Sequence, residues 1–383
     1  MNPVQNARET SSESAGRFYV PALDGLRLVA FLMVLWAHSM IGPDRTDAPP
    51  IPLYGAFRMA GTYGVPVFFV LSAFLITRLL LIEKARDGRI DFRAYYVRRT
   101  LRIWPLYFLV VALAIAHWAL VVHRVPWGAA FSLVTFTANW YRGFVGPIDS
   151  FAALLWSVSV EEQFYLVWPF VVGRCSVRGL WIASGAMVVL ALLARIVVVV
   201  AQARGAFPVT APEGMWHATT SHLDALGLGT MLALAWERLP KLGGWRWYAA
   251  FAACPAILVV QSQWFPLGYR STPFDAWVAV GYTIVPFVAA GMVALAARSE
   301  RSFLEHPKVV ALGRLTYGMY CFHLFVIYIV DSNALASLFR GKPLRIVAIL
   351  GATLALAALS YRFYERPFLR LKRRFERVDT RPV

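Results

Sequence analysis

Leu23-Asp-Gly-Leu-Arg27-Leu-Val-Ala-Phe-Leu-Met-Val-Leu-Trp-Ala-His38-Ser-Met-Ile41 is apolar almost throughout and long enough to cross a bilayer as one helix. Arg27 and His38 stand eleven residues apart. Eleven helical steps of about 100° end roughly 20° past three full turns, so both side chains share one face, about 16 Å apart along the axis. An ionisable group at mid-membrane costs roughly 2.5–3.5 kcal/mol on insertion scales, so two on one stripe need a purpose. The ordinary purpose is a polar path or a reaction site within the protein.

The rest of the chain agrees with a membrane setting. Of its 383 residues 59% are hydrophobic and only 15% charged, the balance of a polytopic membrane protein. A net charge of +17 would suit nucleic acid. Here, though, the Lys and Arg residues lie in short loops between apolar runs, and no soluble domain offers a nucleic-acid face.

Ten apolar runs read as transmembrane helices: 23–41, 63–81, 101–122, 151–172, 179–201, 221–236, 247–263, 276–297, 310–330 and 344–363. The sixth is short and carries Asp224, Gly227 and Gly229; the run at 128–140 is too short and reads as an interfacial or re-entrant piece. With the N-terminus in the cytoplasm, 25 of the 38 Lys and Arg fall inside and nine outside. The sequence therefore predicts an all-α polytopic protein of about ten spans with both termini cytoplasmic. Residues 1–20 read as a disordered cytoplasmic tail rather than a cleavable signal peptide. The membrane domain reads as 21–370, and 371–383 as a basic cytoplasmic tail. Cys175, Cys254 and Cys321 are scattered without CxxC spacing, so neither a disulfide framework nor a metal site is expected.

Three segments carry the polar chemistry. In the first helix, Asp24 suits an N-cap, and Arg27, barely one turn in, could snorkel toward the inner headgroups. In Tyr95-Tyr-Val-Arg98-Arg99-Thr-Leu-Arg102-Ile-Trp-Pro105, basic residues meet the expected start of a membrane helix, whose open N–H groups and dipole also favour anions. Positive-inside topology alone explains many such clusters, but Arg99 and Arg102 also share a face. In Leu155-Trp156-Ser157-Val-Ser-Val-Glu161-Glu162-Gln163-Phe-Tyr165, two adjacent carboxyl groups sit at mid-helix, about 100° apart, and must serve different neighbours. Ser157 lies one turn from Glu161 on the same stripe. Asp224, Tyr317 and His323 are further polar intrusions, each explicable by helix packing; together they suggest one shared polar interior.

Taken together, these segments resemble the acyltransferase-3 family of integral membrane O-acyltransferases. The likeness rests on Leu23-Asp-Gly-Leu-Arg27 with His38, on Gly64-Val-Pro-Val-Phe-Phe-Val-Leu-Ser72-Ala-Phe-Leu-Ile76, and on Arg99-Thr-Leu-Arg102. It continues through Trp156-Ser-Val-Ser-Val-Glu-Glu-Gln-Phe-Tyr165, Gly313-Arg-Leu-Thr-Tyr317-Gly-Met-Tyr-Cys-Phe-His323 and Tyr364-Glu-Arg-Pro367, covering residues 20 to 370. Ala73 departs from the glycine usual in the family. The resemblance implies transfer of an acyl group, commonly acetyl, from acyl-CoA (acetyl-CoA as the commonest donor) to a hydroxyl of a carbohydrate or other small acceptor. It also implies functional Arg27–His38 and Arg99–Arg102 pairs.

On that basis His38 is expected to act as base, with Glu161 or Glu162 orienting its imidazole. Arg98, Arg99 and Arg102 would hold the coenzyme A phosphates and Arg27 the inward-reaching part of the donor. Direct transfer and an acyl-histidine intermediate both remain open. The expected setting is the cytoplasmic (inner) membrane, among lipids, with no nucleic acid and no metal. A transporter or flippase for a lipid-linked sugar or small solute, doing no covalent chemistry, would also place His, Arg and Glu inside the membrane.

Overall fold

The computed structural model describes residues 18–39, 52–206, 211–264, 276–332 and 342–378. Its helices are α1 Pro21–Ser39, α2 Pro52–Thr62, α3 Gly64–Asp87, α4 Phe92–Leu120, α5 Trp127–Val134, α6 Ala138–Phe144, α7 Trp156–Arg174, α8 Val177–Ala203 and α9 Ala211–His217. There follow α10 Leu223–Leu234, α11 Gly244–Trp264, α12 Ala276–Tyr282, α13 Ile284–Ala297, α14 Pro307–Arg314, α15 Thr316–Val330, α16 Lys342–Ser360 and α17 Arg366–Lys372. The only strands among the described residues are β1 Leu242–Gly243 and β2 Ser299–Glu300, a short parallel pair. The all-α expectation holds.

α3 is apolar around nearly its whole circumference for its first four turns, and such a helix belongs at the centre. It packs against α1, α7, α10 and α13. α8, by contrast, turns Ile182, Val189, Leu190, Leu193 and Val197 outward, the lipid-facing surface of a membrane helix. Close crossings depend on glycine. A Cβ on Gly229 would stand 2.3 Å from the Val70 carbonyl oxygen, and one on Gly313 would stand 2.0 Å from that of Asp24. Glycine lets α10 lie on α3, and α14 on α1, backbone to backbone.

Each expected run meets a helix, but several differ in form. Among the described residues, six helical stretches can cross a membrane by length and composition: Pro21–Ser39, Gly55–Asp87, Phe92–Leu120, Val177–Ala201, Ala279–Ala297 and Pro343–Phe375. The run 310–330 is not one straight helix; α14 and α15 meet at 64° and would make a seventh as a broken span. The run 221–236 shrinks to the 12 residues of α10, about 18 Å and too short to cross the hydrocarbon layer unaided. The piece at 128–140 is two short helices, α5 and the start of α6, joined where Phe136 takes a positive φ of 55°.

Two local expectations are corrected. Asp24 is not an N-cap: α1 already begins at Pro21, whose fixed φ and missing N–H suit a first helical turn. Asp24 is instead a buried carboxylate within that turn. Nor do the arginines stand at the start of a helix. Asp91 caps α4, its side chain accepting from the Ala94 N–H, so Arg98 lies about two turns inside and the helix N-terminus is not beside the cluster. Residues 1–17 of the expected tail 1–20, and residues 379–383, lie outside the described residues; residues 18–20 are not a loose tail but line the interior cavity, with Tyr19 donating to Asp24. The remainder of the expected basic tail, 371–378, packs back on the protein: Arg98 donates to the Phe375 carbonyl at 2.7 Å, and Arg377 pairs with Asp91.

Candidate active site

α1, α3, α4, α7, α14 and α15 enclose a cavity of about 200 Å³. It gathers Asp24, Arg27, Ser72, Arg98, Arg99, Arg102, Ser157, Glu161 and Tyr317 from five separate segments of the sequence. Glu162, Trp156, Asp224, His38 and His323 are not on its lining.

The cavity is a mesh of opposite charges. Arg27 pairs with Asp24, which also accepts from the Tyr19 hydroxyl at 3.1 Å. The Ser72 hydroxyl donates to Glu161 Oε1 at 2.5 Å, a charge-assisted distance. Arg99 lies over the rings of Tyr165 and Tyr95, 5.2 and 5.8 Å from their centres. Arg99 and Arg27 are each near enough to Glu161 to act on it electrostatically. Lys372 and Glu376, paired at 3.0 Å, also line the cavity.

Arg98 has a different office. It donates to the buried Glu83 at 2.9 Å and to the Phe375 carbonyl, and Glu83 also accepts the Asp91 N–H at 2.8 Å. Its guanidinium thus ties α3, α4 and the C-terminal segment together. At this solvent-facing corner the Ala94 N–H, and after it Arg377, hold the Asp91 carboxyl below the usual carboxylate range.

The two glutamates do serve different neighbours. Glu161 reaches Ser72 on α3, while Glu162 accepts from the Trp104 indole N–H on α4 at 3.0 Å. Neither orients His38. The His38 ring meets His323 instead, Nδ1 to Nε2 at 3.1 Å, and His323 Nδ1 lies 2.7 Å from the Tyr320 carbonyl oxygen. The reason is placement: the glutamates sit beside Arg27 and Arg99, near one end of α1, and His38 lies about 16 Å further along that helix. The connection runs through α15. Tyr317, Tyr320 and His323 follow one another at three-residue intervals on one helical stripe, and Tyr317 and Tyr320 line the cavity. The Tyr320 hydroxyl meets Ser157 Oγ at 2.6 Å, and Tyr317 donates to the Ile103 carbonyl at 2.7 Å.

Asp224 belongs to a second polar cluster. It accepts from Arg195 at 2.6 Å, both wholly buried, while Arg195 also donates to the Ser221 carbonyl and to Thr283. This cluster ties α8, α10 and the break between α12 and α13. Trp156 packs among Phe69, Trp216, His217 and His222. The expected single polar interior is therefore two.

Tyr320, Glu83, Arg314 and Lys372 were not singled out from the sequence. For Tyr320 a signal existed, its position midway between Tyr317 and His323 on one face. For Lys372 none did, because a lysine in a run of basic residues reads as solvated. No cluster of His, Cys, Asp and Glu suited to a metal occurs among the described residues.

Apolar helices wrapped around a buried, charged cavity define a multi-pass α-helical membrane protein with an interior site. The chain belongs to the acyltransferase-3 family: the sequence model of that family, described as an acyltransferase domain, matches residues 20–362. Among similar proteins is YrhL of Bacillus subtilis (strain 168), named as a candidate peptidoglycan O-acetyltransferase, 29% identical over 379 residues. That match covers 91% of this chain and 55% of YrhL. The peptidoglycan O-acetyltransferase OatA of Listeria monocytogenes (serovar 1/2a) is 25% identical, over 92% of this chain and 56% of its own length. The O-acetyltransferase OatA of Staphylococcus aureus (strain NCTC 8325) is 25% identical, over 91% and 57%. The chain thus spans a little over half the length of the curated relatives it matches. No solved structure matches it.

Proposed function

We propose that this protein is a membrane O-acetyltransferase, moving an acetyl group from acetyl-CoA to a carbohydrate hydroxyl, with His38 as general base. The cavity carries this reading, because it joins Arg99, Arg102 and Arg27 to a stripe of α15 that ends at the His323–His38 pair. Guanidinium groups suit the phosphates of coenzyme A, and an imidazole suits proton abstraction near neutral pH.

In the reaction, His38 takes the proton of the acceptor hydroxyl as its oxygen attacks the thioester carbonyl. The C–O bond forms, the C–S bond breaks, and the coenzyme A thiolate leaves with the proton returned from the imidazolium. Glu161, held by Ser72, balances the charge of Arg27 and Arg99 while the cavity is empty of phosphate. Ten spans with both termini in the cytoplasm of an inner membrane would open the arginine end to the compartment that holds acyl-CoA; the Lys and Arg distribution supports that orientation. The names of the relatives support a cell-envelope glycan as acceptor.

Membranes from cells making the protein, given acetyl-CoA labelled in the acetyl group, test the proposal. Label should pass to a carbohydrate fraction with wild type and not with His38→Ala. Equal transfer by a folded His38→Ala protein would refute the base assignment, and no thioester consumption by wild type would favour a transporter.

A further inference from the structure

We propose that His323 is a positioning residue that fixes the tautomer of His38, leaving the His38 Nε2 lone pair for the acceptor proton. The inference rests on the reading of His38 as base and assigns a role to a residue that reading does not use.

The argument begins at the Tyr320 carbonyl. A carbonyl oxygen only accepts, so the 2.7 Å contact with His323 Nδ1 requires a proton on that nitrogen. His323 is wholly buried, and its ring neighbours are Phe31, Tyr320 and His38. An imidazolium there, with no carboxylate among its hydrogen-bond partners, would bear an uncompensated charge in an apolar setting, so the ring is neutral. A neutral imidazole carries one N–H. With Nδ1 protonated, His323 Nε2 holds a lone pair, and its partner 3.1 Å away, His38 Nδ1, is the donor. His38, on which the Val34 carbonyl one turn back also acts as an acceptor, then has its single proton on Nδ1, and Nε2 is left as the basic atom. The sequence Tyr320 carbonyl, His323, His38 thus does what a carboxylate does for the histidine of a serine hydrolase: it selects one tautomer and one ring orientation. It does so without a carboxylate beside the base; the charge that acts on His38 is the Arg142 guanidinium.

The test has two readouts that a merely structural role would not move. In protein labelled with 15N-histidine and held in lipid nanodiscs, nitrogen chemical shifts report which His38 nitrogen bears the proton, with His38→Ala giving the assignment. Wild type should show protonation at Nδ1, and His323→Phe should shift His38 toward the Nε2–H form. In acetyl-CoA turnover with native membranes as acceptor source, His323→Phe should lose roughly tenfold or more in kcat with KM for acetyl-CoA unchanged. His323→Gln places an amide oxygen near the Nε2 position and should restore most of kcat. Wild-type His38 protonated at Nε2 overturns the proposal, and this readout stands even where His323→Phe fails to fold. Wild-type kcat in His323→Phe alongside an inactive His38→Ala overturns the positioning role alone. Full turnover by His38→Ala overturns the base reading and this one with it.

Discussion

Three consecutive basic positions, Arg98, Arg99 and Arg102, look alike in the sequence and separate in the structure. Arg98 holds Glu83 at 2.9 Å and the Phe375 carbonyl at 2.7 Å, and Glu83 is only 2% exposed. Arg98→Gln would strand a buried carboxylate, and breaking a buried pair from one side costs about 3–5 kcal/mol. Arg99 and Arg102 line the cavity, where each would meet phosphate. A hydrogen bond to a charged group contributes about 1.5–3 kcal/mol, so Arg99→Gln and Arg102→Gln should each raise KM for acetyl-CoA roughly 10- to 150-fold. The assay pairs acetyl-CoA kinetics in nanodiscs with unfolding in mixed micelles. Arg98→Gln should lose stability, and adding Glu83→Gln should recover much of it by removing the stranded charge. Arg99→Gln, which loses its contacts with the Tyr165 and Tyr95 rings, should cost less stability than Arg98→Gln, about 0.5–2 kcal/mol. If Arg98→Gln raised KM as far as Arg99→Gln and unfolded like wild type, the division of roles would be wrong.

Gly313→Ala puts a methyl 2.0 Å from the Asp24 carbonyl oxygen, so α14 must retreat by about 1 Å, at a cost near the upper end of the roughly 1–3 kcal/mol typical of overpacking; a thermal midpoint equal to wild type would refute the close crossing. Ser72→Ala and Glu161→Gln should be non-additive in kcat, with a coupling of about 1–3 kcal/mol for a bond of 2.5 Å; simple additivity would show that the pair does not act together. Asp91→Ala removes the α4 cap and should cost about 1 kcal/mol of stability. Because the Ala94 N–H and Arg377 lower the Asp91 pKa on folding, its contribution is full above the unfolded value of about 3.9 and fades as pH falls through the lower folded value. Stability curves for wild type and Asp91→Ala should therefore converge only in acid, and convergence near neutral pH would reject the cap.

What the sequence reveals here follows the reach of its signals. A long apolar run with two ionisable residues on one face signals polar partners inside the protein, and α1 gives Arg27 to the cavity and His38 to His323. Adjacent glutamates must diverge by about 100° on any helix, and Glu161 and Glu162 do. Periodicity stops short of which neighbour each side chain meets. Arg98 and Arg99 differ by one helical step and both reach the cavity lining, and only the fold of residues 373–378 back over α4 decides that Arg98 spends its guanidinium bracing the protein. The break at Leu315 has no proline to announce it; it follows from α14 lying so close on α1 that Gly313 touches the Asp24 carbonyl. That bend directs the stripe of Tyr317, Tyr320 and His323 along the cavity. A straight helix through 310–330 would put Arg314 and His323 on opposite faces, about 900° apart, and would not seat Gly313 on α1 while carrying His323 to His38. The break is thus what lets one segment brace the arginine end of the first helix and reach the imidazole three turns further along it.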